Sequence, residues 1–579
     1  MKNKYLLSVV FLLSAFSAGG CSSSSKDKIV IRVLNAADYI YEADEEGYYC
    51  EECGEYVTDV KGDEEHGYTH GKDEHEVYYD SDMMAQFVDY MNEKYKSQGL
   101  EFDYIYDTFD TPETCYNELM TGKSNYDVIN VSDYMVQKMI SHDLLLRIFP
   151  DEKHKSEIGK QADEAKENIG SYLSKYLWGD EDSIFNNIYA KKLNYKDDEN
   201  PYDSNKRLAD FSVPYMWGTI GIMYNYNFYK DFTHEEIDKK FSSWEALYSD
   251  FAKNSFSIKD SVRDVYAVSI LHAYKDEIAK IEKECAKDPK RDFNAEMTEI
   301  FNRCDKDTIA KVYEDMLKLK DNAFGFEVDS GKTDMVAGDK IGANLAWSGD
   351  AAWAIYEAQT ESNTEIAFEV PEEGSNIWFD AWCIPKVAKN PGYALDFIEF
   401  MSEPTQAIAN MDYVGYTSAT AGDEVLDYIY DSYDVRGEVG GESEEQFESY
   451  DLTYFFEDSF EEYDIEDAVL HAWTTATEET YEERINGEMV EVPYATQARM
   501  LKAQFPKKEQ LSRLCVMDDY GKDNEKVLDM WQSVRTNALP VWAIIIFVLE
   551  AALAIFAITY LIVTKQIKKK LRKKYSETH

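Results

Sequence analysis

Positive charge is scarce in this sequence: 60 lysines and arginines face 112 aspartates and glutamates, a formal net charge of −52. A surface of that sign repels nucleic acid and anionic lipid head groups, which excludes nucleic acid as a partner, and it gathers cations around itself. The short motifs of hydrolytic and phosphoryl chemistry are missing too. There is no H-E-x-x-H, no G-x-S-x-G elbow and no Gly-rich phosphate loop, so the chain reads as a binding protein and not as an enzyme. Cysteine is sparse, and Cys115, Cys285, Cys304, Cys383 and Cys515 show no spacing that points to a framework.

Long apolar runs stand only at the two ends. Lys2 and Lys4 precede an apolar stretch from Tyr5 to Phe16, and small residues lead to Cys21. That is a signal peptide over 1–20. The cysteine after small residues resembles a bacterial lipoprotein signal, with Cys21 lipid-modified and 22–28 as a polar tether, although Ala18 stands where that pattern prefers Leu. Val541 to Val563 is long enough to span a bilayer as a helix, with Trp542 and Tyr560 at interfacial positions. Lys565, Lys568, Lys569, Lys570, Arg572, Lys573 and Lys574 follow, which puts the tail 564–579 in the cytoplasm and the body outside the cell membrane. Glu550 lies inside the span, facing a partner helix, protonated, or tolerated in one isolated span. A tail this short holds no signalling output domain.

Between the ends, strand and helix patterns alternate. Lys28 to Asn35 reads as a strand, Met83 to Met91 as a helix, Phe102 to Tyr106 as a strand, 112–121 as a helix and Tyr126 to Val131 as a third strand. This rhythm predicts an α/β fold on a parallel sheet. Val213 to Asn225 reads as a buried strand pair, and Trp244 to Phe251 as the start of a helix. The stretches 41–80 and 437–500 are acidic and lack a clear period, so they read as insertions.

Tryptophan and aspartate are paired twice: Trp347 with Asp350 in A-W-S-G-D-A-A-W, and Trp378 with Asp380 in N-I-W-F-D-A-W-C-I-P. An indole face and a carboxylate both attract a cation. The alternative is that the indoles are core and the aspartates cap helices. In an open α/β sheet, ligands collect beyond the carboxyl ends of the strands. Ser132, Asp133 and Tyr134 fall there, as do Trp347 to Asp350, and Asp264 falls in the helix-opening run K-D-S-V-R-D.

The segments at 106–139, 213–225, 243–247, 260–266, 345–354, 371–390 and 397–420, in that order and spacing, resemble the bacterial spermidine/putrescine-binding proteins. These are the solute receptors of polyamine ABC transporters. The resemblance covers about 29–40, 81–436 and 500–536. It implies a two-lobed type II periplasmic-binding-protein fold with a hinge, lobe 1 from 29–222 and 379–416 and lobe 2 from 223–378 and 417–537. It also implies an extracellular subunit that captures a polyamine by lobe closure and delivers it to a permease and its ATPase; a membrane-tethered sensor for another organic cation is the alternative. The binding residues it carries over are Ser132, Tyr134, Asp264, Trp347, Trp378, Asp380, Tyr416 and Gln532, with Asp133 and Asp350 as further carboxylates. Two departures stand out. The aromatic and hydroxyl residues that close the family's first strand are replaced by Ala36 and Ala37, leaving Asp38 and Tyr39, and Ser261 replaces a second aspartate.

The insertion after that altered turn holds Cys50-Glu-Glu-Cys53 and, twelve residues on, His66-Gly-Tyr-Thr-His70. This is the C-x2-C-x12-H-x3-H spacing of a zinc finger, with His75 as a spare ligand. Tyr48 and Val57 fall at apolar positions of such a finger, but Asp63 stands where it needs leucine. A structural zinc, a Cys50–Cys53 disulfide and a regulatory metal sensor are the readings open. No cofactor is implied for function.

Overall fold

The computed structural model describes residues 28–536 apart from 51–52, 64–66, 73–74, 151–153, 180–195, 198–199, 202–206, 329, 339, 437–445, 457–464, 476 and 486–487. The signal 1–20, Cys21, the run 541–563, its tail and His66 lie outside the described residues. Among the described residues no helix is long and apolar enough to cross a membrane.

One sheet organises the molecule. Its strands run in the order Gly325–Glu327, Phe256–Lys259, Ala343–Trp347, Ser212–Asn225, Ser375–Cys383, Val128–Ser132, Ile29–Ala36, Phe102–Phe109. Phe256–Lys259 is parallel to both its neighbours, and Ile29–Ala36 is parallel to both of its own. These two parallel blocks are joined by two antiparallel strands, Ser212–Asn225 and Ser375–Cys383. Helices such as Met83–Lys94, Asp133–Ser141, Val262–Ala273 and Ser348–Ser362 connect the strands, as the alternating pattern predicts.

The predicted strand pair at 213–225 is instead one strand of 14 residues, every one buried. Gly218 and Gly221 suggest a turn there, but they serve close packing. A Cβ on Gly221 would lie 2.3 Å from the Phe368 ring, and one on Gly218 would lie 2.9 Å from Trp378. The predicted helix opening at Trp244 is a single turn, Glu245–Tyr248. The stretch 41–80 is not irregular either: it holds a five-stranded antiparallel sheet in the order Glu55–Val57, Gly47–Cys50, His75–Asp80, Gly67–His70, Lys61–Asp63. Its strands are short and their apolar side chains are mostly tyrosines, so they carry little hydrophobic alternation.

Two large cores flank the sheet. One gathers Ile31, Val33, Phe87, Val128 and Phe397, the other Trp244, Tyr266, Phe301 and Trp531. Of the stretch 419–505, assigned above to the second lobe, Ala419, Val425, Leu452, Phe455 and Phe505 pack into the first core and Val435, Trp473 and Ala498 form a small third cluster, whereas Met517 to Val534 joins the second core. Trp347 and Trp378 pack against both.

Candidate functional site

The sheet ends converge on those two indoles. Asp380 lies in Ser375–Cys383, in register with Ser132 at the end of the neighbouring strand. Tyr39, from the turn after the first strand, donates its hydroxyl to Asp380 Oδ2 at 2.9 Å, and Ser132 also hydrogen-bonds this carboxylate. Despite these bonds, burial pushes the Asp380 carboxyl up to about 6. No ion pair neutralises Asp380 among the described residues.

Asp264 presents a second such carboxylate from the other block. It stands in the first turn of Val262–Ala273, where the Ser261 hydroxyl caps the helix by accepting from Asp264 N at 3.4 Å. Trp347 Nε1–H donates to Asp264 Oδ2 at 3.2 Å. Burial again dominates and lifts this carboxyl to about 6, although Ser261, Lys259 and Trp347 favour its charged form.

Asp350 is different, because it already has a cation. Lys259, 1% exposed at the end of Phe256–Lys259, sends Nζ to Asp350 Oδ2 at 3.0 Å and Glu327 Oε1 at 3.2 Å. The same ammonium lies 4.2 Å from the centroid of the Trp347 ring. Burial opposes its charge, but Asp350 and Glu327 outweigh burial and raise the Lys259 pKa. The first Trp–Asp pair is therefore a cation site, and its cation is the chain's own lysine. The helix reading of Asp350 holds as well, since it lies in the first turn of Ser348–Ser362.

Tyrosines link the two carboxylate regions. Tyr416 donates to Asp350 Oδ1 at 3.0 Å, and its ring meets Trp378 at 5.5 Å and Tyr39 at 5.5 Å between centroids. That seat depends on Gly349, where a Cβ would come within 2.2 Å of the Tyr416 ring. The result is one connected cluster: Ser132, Tyr39 and Asp380 on one side, Asp264, Trp347, Lys259 and Asp350 on the other, Tyr416 and Trp378 between.

Four expected residues stand differently. Tyr134 lies under the Arg263 guanidinium at 4.3 Å, and Arg263 lies at the same distance over Tyr520, so the guanidinium joins the helix of the first block to a segment of the second core. Asp133 is buried and turns Oδ1 back to the N–H of Tyr134, 2.5 Å away, in its own helix. Asp38 is exposed on a left-handed turn, φ 51°. Gln532 is exposed because Trp531, Val527, Met530 and Val534 take the inner face of Asn524–Arg535. Sequence reasoning missed Lys259 and Glu327. The available signal was a charged residue closing each of two short strands, F-S-I-K and G-F-E, which pair in register Lys259↔Glu327.

In the insertion, the sulfurs and ring nitrogens of Cys50, Cys53, His70 and His75 all lie within 4.8 Å of one another. His75, named above as a spare ligand, is thus one of the four, while His66 lies outside the described residues.

Chemically, the central cluster offers two desolvated, unneutralised carboxylates separated by aromatic rings, an arrangement for an elongated cation with charge at both ends. The profile of the bacterial extracellular solute-binding proteins matches residues 94–424. A spermidine/putrescine-binding periplasmic protein of Salmonella typhimurium is 26% identical over 314 residues, covering 54% of this chain and 69% of that protein. The putrescine-binding periplasmic protein PotF of Escherichia coli is 24% identical over 320 residues, covering 54% and 70%. The solved spermidine/putrescine ABC transporter substrate-binding protein PotD of Streptococcus pneumoniae aligns over 88% of this chain and 100% of that one, at 18% identity and a TM-score of 0.46.

Proposed function

Because this chain belongs to the bacterial extracellular solute-binding proteins, a family of transport receptors and not of enzymes, we propose that it captures a small polyamine of the putrescine/spermidine class for an ABC importer. The observation that carries this reading is the pair of unneutralised carboxylates, Asp380 on the joining strand Ser375–Cys383 beside Ser132, and Asp264 in the helix that follows Phe256–Lys259. Each sits about two pH units above an ordinary aspartate, which corresponds to roughly 3 kcal/mol of unrelieved desolvation near neutral pH. A diammonium ligand relieves both at once. Micromolar affinity needs only about 8 kcal/mol net.

The aromatic residues supply the rest. Trp378, Tyr416 and Tyr39 flank the path between the carboxylates and suit a methylene chain and its ammonium ends, at about 0.5–2 kcal/mol per desolvated cation–π contact. Lys259 sets the charge count: it is paired with both Asp350 and Glu327, and Lys332 Nζ lies 3.8 Å from Asp350, so of the four acids the ligand meets two open ones, Asp264 and Asp380. Capture proceeds by closure of the two blocks about the antiparallel strands Ser212–Asn225 and Ser375–Cys383. Arg263, stacked on Tyr134 and Tyr520, clamps the closed form. A permease and its ATPase receive the ligand. The lipid on Cys21 and the span 541–563 hold the body at the outer face of the cell membrane, with the tail 564–579 inside.

Calorimetry with putrescine, spermidine and spermine tests this. Asp380→Ala and Trp347→Ala are each expected to weaken the best ligand at least tenfold. Unchanged affinity in both would sink the assignment.

A further inference from the structure

We propose that the insertion 41–80 is a zinc module held by Cys50, Cys53, His70 and His75, a site separate from the polyamine cluster and outside the residues 94–424 that the family accounts for. The four ligand atoms come from two hairpins that face each other. Cys50 ends the strand Gly47–Cys50 and Cys53 follows in the turn, where Gly54 takes φ 69° and its N–H donates to Cys50 O at 2.8 Å. His70 and His75 are directly opposite in the antiparallel pair Gly67–His70 and His75–Asp80, across a turn with Gly71 at φ 74°. Each hairpin thus offers a ligand pair beside a left-handed glycine.

The distances fit one ion. Zinc bonds of about 2.3 Å to sulfur and 2.0–2.1 Å to nitrogen give tetrahedral ligand-to-ligand edges of roughly 3.3–3.8 Å. Cys53 Sγ lies 3.2 Å from His70 Nε2 and 3.4 Å from His75 Nδ1, and the whole set falls within 4.8 Å. Both cysteines stand as thiols and not as a disulfide. Two thiolates with two imidazoles in a tetrahedral array select zinc among the common divalent ions. His70 has the outer partner that metal-bound histidines carry: its Nδ1 lies 3.4 Å from Asp59 Oδ1, which fixes the tautomer with Nε2 toward the ion. Asp59 is itself held by Gly71 N–H at 3.3 Å.

The module also needs the ion. Among the described residues of 47–80, the buried ones are Cys50, His70, Val77 and Asp80. Two of those four are the ligands themselves, and Val77 alone is no core for five strands. Folds this small are held by staples where apolar burial is insufficient. Asp80 accepts from the Tyr41 and Tyr56 hydroxyls at 2.5 Å each within the module, and Tyr41 ties it to the body by donating its N–H to Asn410 Oδ1 at 2.9 Å. With four protein ligands the coordination is closed, which makes the role structural.

The test is metal analysis of the full-length chain, purified without a histidine tag, with Cys53→Ser, His75→Ala and His66→Ala beside it. The expected result is close to one zinc per chain in the wild type and in His66→Ala, with loss in the other two. Cobalt exchanged into the wild type should show the intense visible bands of a tetrahedral site and thiolate-to-cobalt charge transfer, which reports on the ligands even where a variant fails to fold. Absence of zinc with a Cys50–Cys53 disulfide in the mass of the alkylated chain overturns the proposal. Zinc lost in His66→Ala and kept in His75→Ala overturns the ligand set.

Discussion

Acid should release the ligand, and the size of the effect follows from two side chains. The Asp264 and Asp380 carboxyls are both raised to about 6 in the free protein, chiefly by burial. An alkyl ammonium keeps its proton far above this range, so only the carboxylates titrate. Between pH 7 and pH 5 the ionised fraction of each falls from about 0.9 to about 0.1, roughly a tenfold loss per carboxylate. Both together give about a hundredfold weaker binding of a diammonium ligand at pH 5, equivalent to about 2.7 kcal/mol. The ligand-free protein responds with the opposite sign. A carboxyl raised in the folded state holds its proton where the unfolded chain has lost it, so folding is favoured below about pH 4 and that advantage is lost as pH rises to 6. Acidification from pH 7 to 5 should therefore raise the contribution of these two groups to free-protein stability while shrinking the ligand-induced rise in Tm. Calorimetry at pH 7, 6 and 5, with thermal unfolding in the same buffers, measures both. Asp380→Asn should leave only a tenfold fall over the same range. Equal affinity at pH 5 and 7, or a hundredfold fall persisting in Asp380→Asn, would refute the argument.

Lys259→Met removes the buried cation shared by Asp350 and Glu327 and leaves Asp350 only the Lys332 ammonium 3.8 Å away; a loss of about 3–5 kcal/mol in chemical denaturation is expected. Because an extra acidic subsite opens, the ratio of spermidine to putrescine affinity should rise, and an unchanged ratio would show that Lys259 does not set the charge count. Gly349→Ala forces a Cβ into the Tyr416 ring, with an expected cost of about 1–3 kcal/mol and weaker binding, read by denaturation and calorimetry.

The strand–helix rhythm was legible because apolar periodicity and buried β-branched runs are local properties. The strand at 212–225 was misjudged because glycine in sequence signals a turn, whereas Gly218 and Gly221 are small to admit Trp378 and Phe368. Both Trp–Asp pairs could be read as cation sites. That Lys259 occupies one of them could not, since it lies 91 positions from Asp350 and reaches it through strand order. That His70 and His75 come together was not legible in the zinc-finger spacing either, because they meet across a hairpin, where register and not helical pitch decides which residues face each other.

Trp347 and Trp378 each touch both cores, and Trp347 carries a buried ammonium near its face. Any rotation of one core against the other must change the surroundings of both indoles, and a charge beside an excited indole shifts its emission. The protein thus contains its own optical gauge. Steady-state and stopped-flow fluorescence of the unlabelled chain would separate ligand encounter from closure, with Lys259 acting as a fixed internal field against which the movement is read.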